Sequence, residues 1–256
     1  MDGTLTTKKL DDTICIFNEA SQNGPQVDAY LVTGTKRAVL IDTLQAETSL
    51  YARVKDLCSL PLDVLLTHGH WDHAGVSTKD FIAAGCDVYI DERDIPILTP
   101  DLKSAAYKPL RDGMIFDLGG YRLETISVPG HTPGSAVFLE REKQHLYTGD
   151  AIGAGVYWMH IPNTLSLREL QRSLKRLHEK VKNLDQLLIH PGHRNQAPVQ
   201  LHHDFLLDTI LATNKIISGE WVGKDKVTRL SSGIDVPCKT ISYNLIRDYC
   251  YNPNNI

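Results

Sequence analysis

The sequence has little of what marks secreted, membrane-bound or nucleic-acid-binding proteins. Its five cysteines are odd in number and form no C-x-x-C pair, which argues against a disulfide framework and indicates reduced, mostly buried thiols. No apolar run reaches the ~18 residues that a membrane-spanning helix needs, and residues 1–12 lack the apolar core of a signal peptide. The net charge of -4, with both signs mixed, excludes the strongly basic surface typical of nucleic-acid binding. We therefore expect a cytoplasmic protein with neither a membrane nor a nucleic-acid partner.

Linkers and repeats are also missing from the sequence. With 256 residues, of which 42% are hydrophobic, the chain is long enough to bury one sizeable core. We find no linker that would divide it, no short-period repeat and no low-complexity segment. We therefore expect a single domain over residues 1–256, with a core at about 13–195 and a C-terminal helix and tail at 196–256.

The most informative stretch is His68-Gly69-His70-Trp71-Asp72-His73, which follows the apolar run 64–66. That run predicts a short buried strand ending in a loop. In an extended segment His68 and His70 lie on the same side, because side chains alternate with period two. Imidazole nitrogens and carboxylate oxygens are ligands of zinc. We interpret the stretch as a metal site rather than a polar loop, because its ligand residues are too dense to arise readily by composition.

Three later turns repeat this pattern of an apolar strand followed by a turn that carries histidine or aspartate. They contain His131 in the segment 130–134, Asp150 in 148–150 and His193 in 191–193. Each of these residues could instead serve only in a turn, and His190 competes with His193 because it lies three residues earlier.

Taken in order, the H-x-H-x-D-H, G-H-T-P-G, T-G-D and P-G-H motifs resemble those of the metallo-β-lactamase superfamily of hydrolases. The resemblance covers roughly residues 13–195 and implies an α/β fold, a four-layer αββα sandwich. It also implies a first metal ion held by His68, His70 and His131 and a second held by Asp72, His73 and His193. The Asp150 carboxylate would bridge the two ions. Two Zn²⁺ ions would suit these donors, and iron or manganese would also be compatible.

The activity implied by this resemblance is hydrolysis by a hydroxide that bridges two metal ions about 3.5–4 Å apart. The hydroxide would attack the carbonyl of a small ester, thioester, lactone or cyclic amide, with Asp72 and Asp150 as the catalytic residues. The lactam-hydrolysing members commonly have cysteine where this chain has Asp150, so antibiotic hydrolysis is not the first choice. Residues 151–157 also differ from the stretch usual in glyoxalase II and persulfide dioxygenases. Phosphodiester hydrolysis, a mononuclear iron oxygenase of the persulfide dioxygenase kind and a metal-binding protein without turnover stay open as alternatives.

Four bulky side chains near these motifs are candidates for the wall of an apolar substrate pocket: Trp71, Tyr157, Trp158 and Met159. The alternative is that Tyr157 and Trp158 pack beneath the second helix layer. Residues 99–113, interrupted by two prolines, predict a surface loop and a candidate lid. His160 has no assignment, and the oligomeric state, including a homo-oligomer, stays open.

Overall fold

The structure, a computed structural model, describes residues 4–20, 26–45, 49–197, 199–230, 232–244 and 247–256. Within these ranges the strands are β1 Thr4–Lys9, β2 Ile14–Ala20, β3 Gln26–Thr33, β4 Ala38–Ile41, β5 Leu62–Leu65, β6 Val88–Ile90, β7 Lys108–Pro109, β8 Ile115–Asp117, β9 Arg122–Ser127, β10 Ala136–Glu140, β11 His145–Gly149, β12 Gly155–Met159, β13 Leu188–Pro191, β14 Leu201–His202, β15 Lys224–Arg229, β16 Asp235–Asn244 and β17 Arg247–Tyr251. The α-helices are α1 Leu50–Leu57, α2 Ser77–Ala83, α3 Leu167–Val181 and α4 His203–Ile217, and two short 3₁₀-helices span Glu92–Ile97 and Arg194–Gln196.

Two large sheets form the centre of the molecule. The first contains β1 to β7 in chain order, antiparallel from β1 to β4 and parallel from β4 to β7. The second has the order β14-β13-β11-β10-β9-β8, and its β11–β13 pair is parallel. An apolar layer that includes Ile16, Val39, Leu123 and Phe138 lies between the two sheets. The sheets therefore pack face to face.

Helices cover the outer face of each sheet. Leu50 and Val54 of α1 and Phe81 of α2 are buried with the side chains of the first sheet. Leu170 and Leu174 of α3 are buried in a second cluster with α4 and the other sheet. Helix α3 begins with the predicted capping box, in which the side chains and backbone N–H groups of Ser166 and Glu169 satisfy each other. The expected four-layer αββα sandwich is confirmed.

A third sheet, in the order β12-β17-β16-β15, was not expected as a separate layer. Strands β16 and β17 lie in the segment expected to be a C-terminal tail, apart from residues 245–246, which lie outside the described ranges. Strand β12 pairs in parallel with β17, which connects the C-terminal strands to the middle of the chain. That the whole chain is one domain stays a prediction.

Two other boundaries differ from expectation. The C-terminal helix expected within residues 196–256 begins only at His203, because residues 201–202 pair with β13 as β14. Residues 99–113 form turns and the short strand β7, and their role as a lid stays a prediction. Among the helices of the described ranges, none has the length and apolarity to cross a membrane.

Candidate metal centre

The ends of four strands meet at one edge of the two central sheets, and each end carries predicted ligands. The loop after β5 carries the His68–His73 motif, and the loops after β9, β11 and β13 carry His131, Asp150 and His193. Ligand atoms from these loops lie within 4.8 Å of one another in three overlapping groups: His68–His70–His131, His68–His73–Asp150 and Asp72–His73–His193. The structure thus brings all the predicted ligand residues together.

The first group consists of imidazoles alone. The Nδ1 atom of His70 lies 3.1 Å from Nε2 of His68 and 2.9 Å from Nε2 of His131. The three rings are nearly perpendicular to one another, at angles of 85°, 80° and 86°. Three ring nitrogens therefore point at one small volume, an arrangement suited to a metal ion with nitrogen ligands.

The second group combines imidazoles with a carboxylate. Oδ2 of Asp72 lies 3.5 Å from Nε2 of His193 and 4.0 Å from Nε2 of His73. The competing residue His190 lies elsewhere, with its ring stacked on Tyr147 at a centroid distance of 5.1 Å. In the structure it is therefore His193, and not His190, that belongs to the cluster.

Asp150 lies between the two groups. Its Oδ1 is 3.5 Å from Nε2 of His73, and its Oδ2 is 3.5 Å from Nε2 of His193 and 3.7 Å from Nε2 of His131. One carboxylate thus contacts histidines of both groups, which is the position expected of a ligand shared by two ions.

The hydrogen bonds on the outer side of the imidazoles show how these residues fit metal ions. Nδ1–H of His73 donates to Oδ2 of Asp42 at 2.8 Å, and Nδ1–H of His131 donates to the Trp158 carbonyl at 3.1 Å. Nδ1–H of His193 donates to the Gln26 carbonyl at 2.6 Å. Each of these bonds holds a proton on Nδ1 and turns Nε2 to the cluster, so that Nε2 is the nitrogen that would bind a metal ion once it carries no proton itself.

Unpaired buried atoms support the same fit. Nε2 of His73 and Oδ1 of Asp150 are buried without a hydrogen-bond partner. Such an atom costs about 1–3 kcal/mol unless something compensates it. A metal ion would compensate both, and nitrogen with carboxylate oxygen is a donor set that zinc accepts.

The two groups differ in charge. Burial lowers the pKa of His68 well below its usual value and lowers that of His131 to about 4, so these imidazoles are neutral. Burial also opposes the charged forms of His73 and Asp72. For His73, attraction to the Asp150 and Asp72 carboxylates outweighs this effect of burial. The pKa of His73 is raised to about 10, and His73 and His193 hold the pKa of Asp72 at about 2. The second group therefore carries both charges when no metal is bound.

The sequence analysis did not identify Asp42 as part of the centre. Asp42 follows β4 directly, and besides His73 its carboxylate accepts hydrogen bonds from the backbone N–H and the hydroxyl of Thr67, at 2.7 and 2.8 Å. The Thr67 oxygen in turn lies 3.0 Å from Nδ1 of His68. Asp42 therefore orients one histidine directly and a second through Thr67. The only signal in the sequence is an aspartate at the end of a buried strand.

We expect Asp42→Asn to weaken metal binding about 10–100-fold, the usual cost of losing the outer partner of a ligand histidine. Asparagine tolerates the positive φ of 63° at this position as aspartate does, so the change is confined to the carboxylate. Competition with a chromophoric chelator measures the affinity. Asp63→Asn is the control, because Asp63 is also buried but pairs with Arg37 at 2.5 Å instead of a predicted ligand. Equal affinities in Asp42→Asn and the wild type would contradict this role.

Asp94 was also missed, and nothing in the sequence indicates its role. Its carboxylate accepts hydrogen bonds from the backbone N–H groups of Gly69 and Gly134, at 2.9 and 2.6 Å, and from the hydroxyl of Thr132 at 2.6 Å. A Cβ atom on Gly134 would lie 2.7 Å from the Asp94 side chain, so only glycine permits this approach. Asp94 thus connects the loop of His68 and His70 with the loop of His131.

The structure separates the predicted pocket residues into two pairs. Tyr157 and Met159 are 2% exposed and belong to the hydrophobic core, and their part in a pocket wall stays a prediction. The alternation along β12 turns these two side chains to the core and Trp158 to the other face. Trp158 is partly buried, whereas Trp71 is 40% exposed between two predicted ligands. The substrate role of Trp71 and Trp158 stays a prediction.

A cavity of about 310 Å³ lies beside His193. Its lining includes Gln26, whose carbonyl accepts the Nδ1–H bond of His193, together with Lys8 and Arg194. None of the seven predicted ligands is among the residues that line this cavity.

Comparison with known proteins supports the sequence motifs. A family model described as the metallo-beta-lactamase superfamily matches residues 23–193. The hydroxyacylglutathione hydrolase GloC of Haemophilus influenzae is 33% identical over 135 residues, which are 47% of this chain and 63% of that protein. The atrochrysone carboxyl ACP thioesterase nsrC of Aspergillus novofumigatus is 33% identical over 138 residues, which are 50% of this chain and 39% of that protein. The matches thus span less than two thirds of either relative.

Solved structures agree with these matches at the level of the fold. A metallo-beta-lactamase from Pontibacter korlensis superposes with a TM-score of 0.66 and covers 82% of this chain and 99% of its own. Only 17% of the aligned residues are identical, so the likeness extends to the fold alone. Since the family model covers most of the chain and its four ligand loops converge as that fold requires, the protein belongs to the metallo-beta-lactamase superfamily.

Proposed function

We propose that the protein is a hydrolase that uses two metal ions to cleave small thioesters. The observation that carries this proposal is the position of Asp150, whose two carboxylate oxygens contact histidines of both ligand groups. A carboxylate between two sets of imidazoles is more than one closed structural metal site needs.

The position of each residue suggests its role in this reaction. His68, His70 and His131 would hold one ion, Asp72, His73 and His193 the other, and Asp150 would contact both. Bound zinc ions would supply a water activated at neutral pH and positive charge for the developing negative charge of a substrate oxygen. Asp42 would keep His73 oriented, and Asp94 would hold the two ligand loops in register. The Asp72 carboxylate could also accept a proton during turnover.

Two observations favour thioesters within the wider class of esters, lactones and cyclic amides. The names of two relatives, a hydroxyacylglutathione hydrolase and an acyl-carrier-protein thioesterase, both denote acyl groups bound to sulfur. In addition, the cluster holds no histidine or carboxylate besides the seven predicted ligands, so only a ligand such as Asp72 could pass a proton to a leaving group, which favours a leaving group that needs none. A thiol with an ordinary pKa of about 8.5 leaves as thiolate without such help.

A panel of substrates tests the proposal. The panel contains an S-acylglutathione, an S-acyl-N-acetylcysteamine, the matching p-nitrophenyl ester, a lactone, a β-lactam and bis-p-nitrophenyl phosphate. We expect the highest kcat/KM for a thioester, its loss after treatment with a chelator and its return with Zn²⁺. Preferred turnover of the phosphodiester, or oxygen consumption that depends on iron, would replace this proposal by one of the two alternative enzymes. No metal-dependent turnover of any compound would contradict it entirely.

We expect Trp71→Ala to raise KM for the best thioester about tenfold, equivalent to about 1.4 kcal/mol of binding free energy. The exposed indole lies inside the ligand motif, where it can contact substrate in the ground state and the transition state equally, so kcat should change little. Steady-state kinetics and metal content are measured together. Trp221→Ala is the control, because its ring packs on Tyr243 in the C-terminal region. An unchanged KM in Trp71→Ala would remove this residue from the substrate site.

A further inference from the structure

A second cluster of metal-ligand residues lies outside the centre described above. It consists of His160, Cys238 and Cys250, whose ligand atoms lie within 4.8 Å of one another. All three side chains are buried, with exposures of 4%, 4% and 1%. Both cysteines are free thiols in the structure. The sequence alone assigns no role to His160 and indicates only reduced, mostly buried thiols for the cysteines.

The register of the third sheet explains why these residues meet. Cys250 of β17 pairs with Thr240 of β16, and Cys238 lies two residues before Thr240 on the same face. Cys250 also pairs with Trp158 of β12, and His160 follows two residues later. The rings of Trp158 and His160 stack at 5.4 Å with an interplanar angle of 16°. The pairing of β12 with the C-terminal strands β16 and β17 thus brings two sulfurs and one imidazole together.

The hydrogen bonding of the His160 imidazole is incomplete. Neither of its ring nitrogens makes a hydrogen bond of normal geometry, although both are buried. The Cys250 backbone lies close enough to favour the charged ring slightly, but burial outweighs it and lowers the pKa of His160. The ring is therefore neutral and has an unpaired nitrogen available. A buried polar group without a partner is uncommon in native proteins and calls for a ligand or a water.

We propose that His160, Cys238 and Cys250 bind a Zn²⁺ ion that is distinct from the ions at Asp150. Two thiolates and one imidazole are among the donor sets that zinc prefers. Binding releases the two thiol protons to solvent, so that the two thiolates balance the charge of the ion. Among the described residues no fourth sulfur, imidazole or carboxylate joins the cluster, which leaves the fourth position to water or a small exogenous ligand.

Burial raises the pKa of the Cys250 thiol, and the neighbouring Thr240 and Lys226 oppose this rise. Nζ of Lys226 lies 3.9 Å from Sγ of Cys250, and the hydroxyl of Thr240 lies 3.4 Å from the same sulfur. The hydroxyl of Thr228 lies 3.7 Å from Sγ of Cys238. These groups can donate to thiolates and offset part of the cost of burying negative charge.

The position of this site also gives it a structural consequence for the main centre. Trp158 stacks on His160, and its carbonyl accepts the Nδ1–H bond of His131. An ion held by His160 would stabilise the end of β12 and, through Trp158, the orientation of His131.

Cobalt substitution tests this site separately from the main centre. The seven ligands predicted for the main centre include no sulfur, so any sulfur-to-cobalt charge-transfer band in the near ultraviolet reports on the second site alone. The protein is stripped with a chelator under reducing conditions and reconstituted with Co²⁺. We expect the band in the wild type and in Asp150→Ala, and its loss in Cys238→Ser and Cys250→Ser. Cys58→Ser is the matched control, because Cys58 is buried at 6% exposure but lies outside the cluster, and it should retain the band.

Zinc content gives a second readout that does not depend on activity. Cys238→Ser should contain one zinc ion per chain fewer than the wild type. Cys58→Ser should contain as much zinc as the wild type. If the serine variants fail to fold, the wild-type spectrum still decides, together with His160→Asn, which retains both sulfurs and should weaken Co²⁺ binding. Absence of the band in reconstituted, reduced wild type would overturn the proposal. A band that persists in both serine variants, or a Cys238–Cys250 disulfide that resists mild reduction, would overturn it as well.

Discussion

Asp150→Ala is expected to lose bound metal together with activity, because one carboxylate contacts histidines of both ligand groups. The loss of a single transition-state interaction already costs about 10²–10³ in rate, and the loss of a shared ligand should cost at least that. Removal of the negative charge also leaves the positively charged pair His73 and His193 less well balanced, since Asp150 is a main cause of their raised pKa values. Elemental analysis and kcat on the best thioester measure the two effects.

His193→Ala and His190→Ala form the matched comparison for this experiment. Both histidines are buried, and they lie three residues apart, but only His193 faces Asp150. We expect metal loss in His193→Ala and normal metal content in His190→Ala. Full metal content and near-native turnover in Asp150→Ala would contradict the shared-ligand role, and metal loss confined to His190→Ala would contradict the ligand assignment.

Asp94→Ala should destabilise the fold and disturb the centre at once. The substitution leaves three donors without an acceptor, the N–H groups of Gly69 and Gly134 and the hydroxyl of Thr132. Because each unsatisfied buried donor costs about 1–3 kcal/mol, the free energy of unfolding should fall by several kcal/mol. The loops that carry His68 and His131 would also lose their common anchor, so metal affinity should fall with it. Urea unfolding and chelator competition measure the two changes.

Asp91→Ala is the control for Asp94. Asp91 is also buried and lies in the same segment, but its carboxylate bonds to the backbone and guanidinium of Arg93. The Asp91→Ala substitution should lower the free energy of unfolding by less than Asp94→Ala does, and it should leave metal affinity unchanged. If Asp94→Ala lost less than about 1 kcal/mol and bound metal normally, the bridging role of Asp94 would be wrong.

The parts of the molecule that depend on local pattern could be predicted from the sequence. The buried strand before His68 and the capping box at Ser166 show regular spacing that any tertiary context would preserve. The predicted ligands lie together because loops at the same edge of two packed sheets must converge. In the P-G-H motif the ligand His193 follows Pro-Gly, and the Cβ of a larger residue at Gly192 would lie 2.2 Å from Cε1 of His73, so that turn needs glycine.

Features that depend on contacts between distant segments could not be predicted. Asp42 bonds to the predicted ligand His73, 31 residues away in sequence, and Asp94 bonds to the backbone of Gly69 in the ligand loop, 25 residues away; aspartates in such loops carry no distinguishing pattern. The third sheet depends on the pairing of β12 with β17, which local alternation does not reveal. The same pairing decides which side chains of β12 enter the core, so the burial of Tyr157 and Met159 could not be predicted from the sequence.

The most direct test of the central claim is anomalous X-ray diffraction at the zinc edge, from crystals of protein purified without added metal. We predict two peaks beside the Asp150 carboxylate, one among His68, His70 and His131 and the other among Asp72, His73 and His193. A peak at Cys238 and Cys250 would bear on the second site only. A single peak at Asp150, or metal bound away from these residues, would contradict the two-metal account.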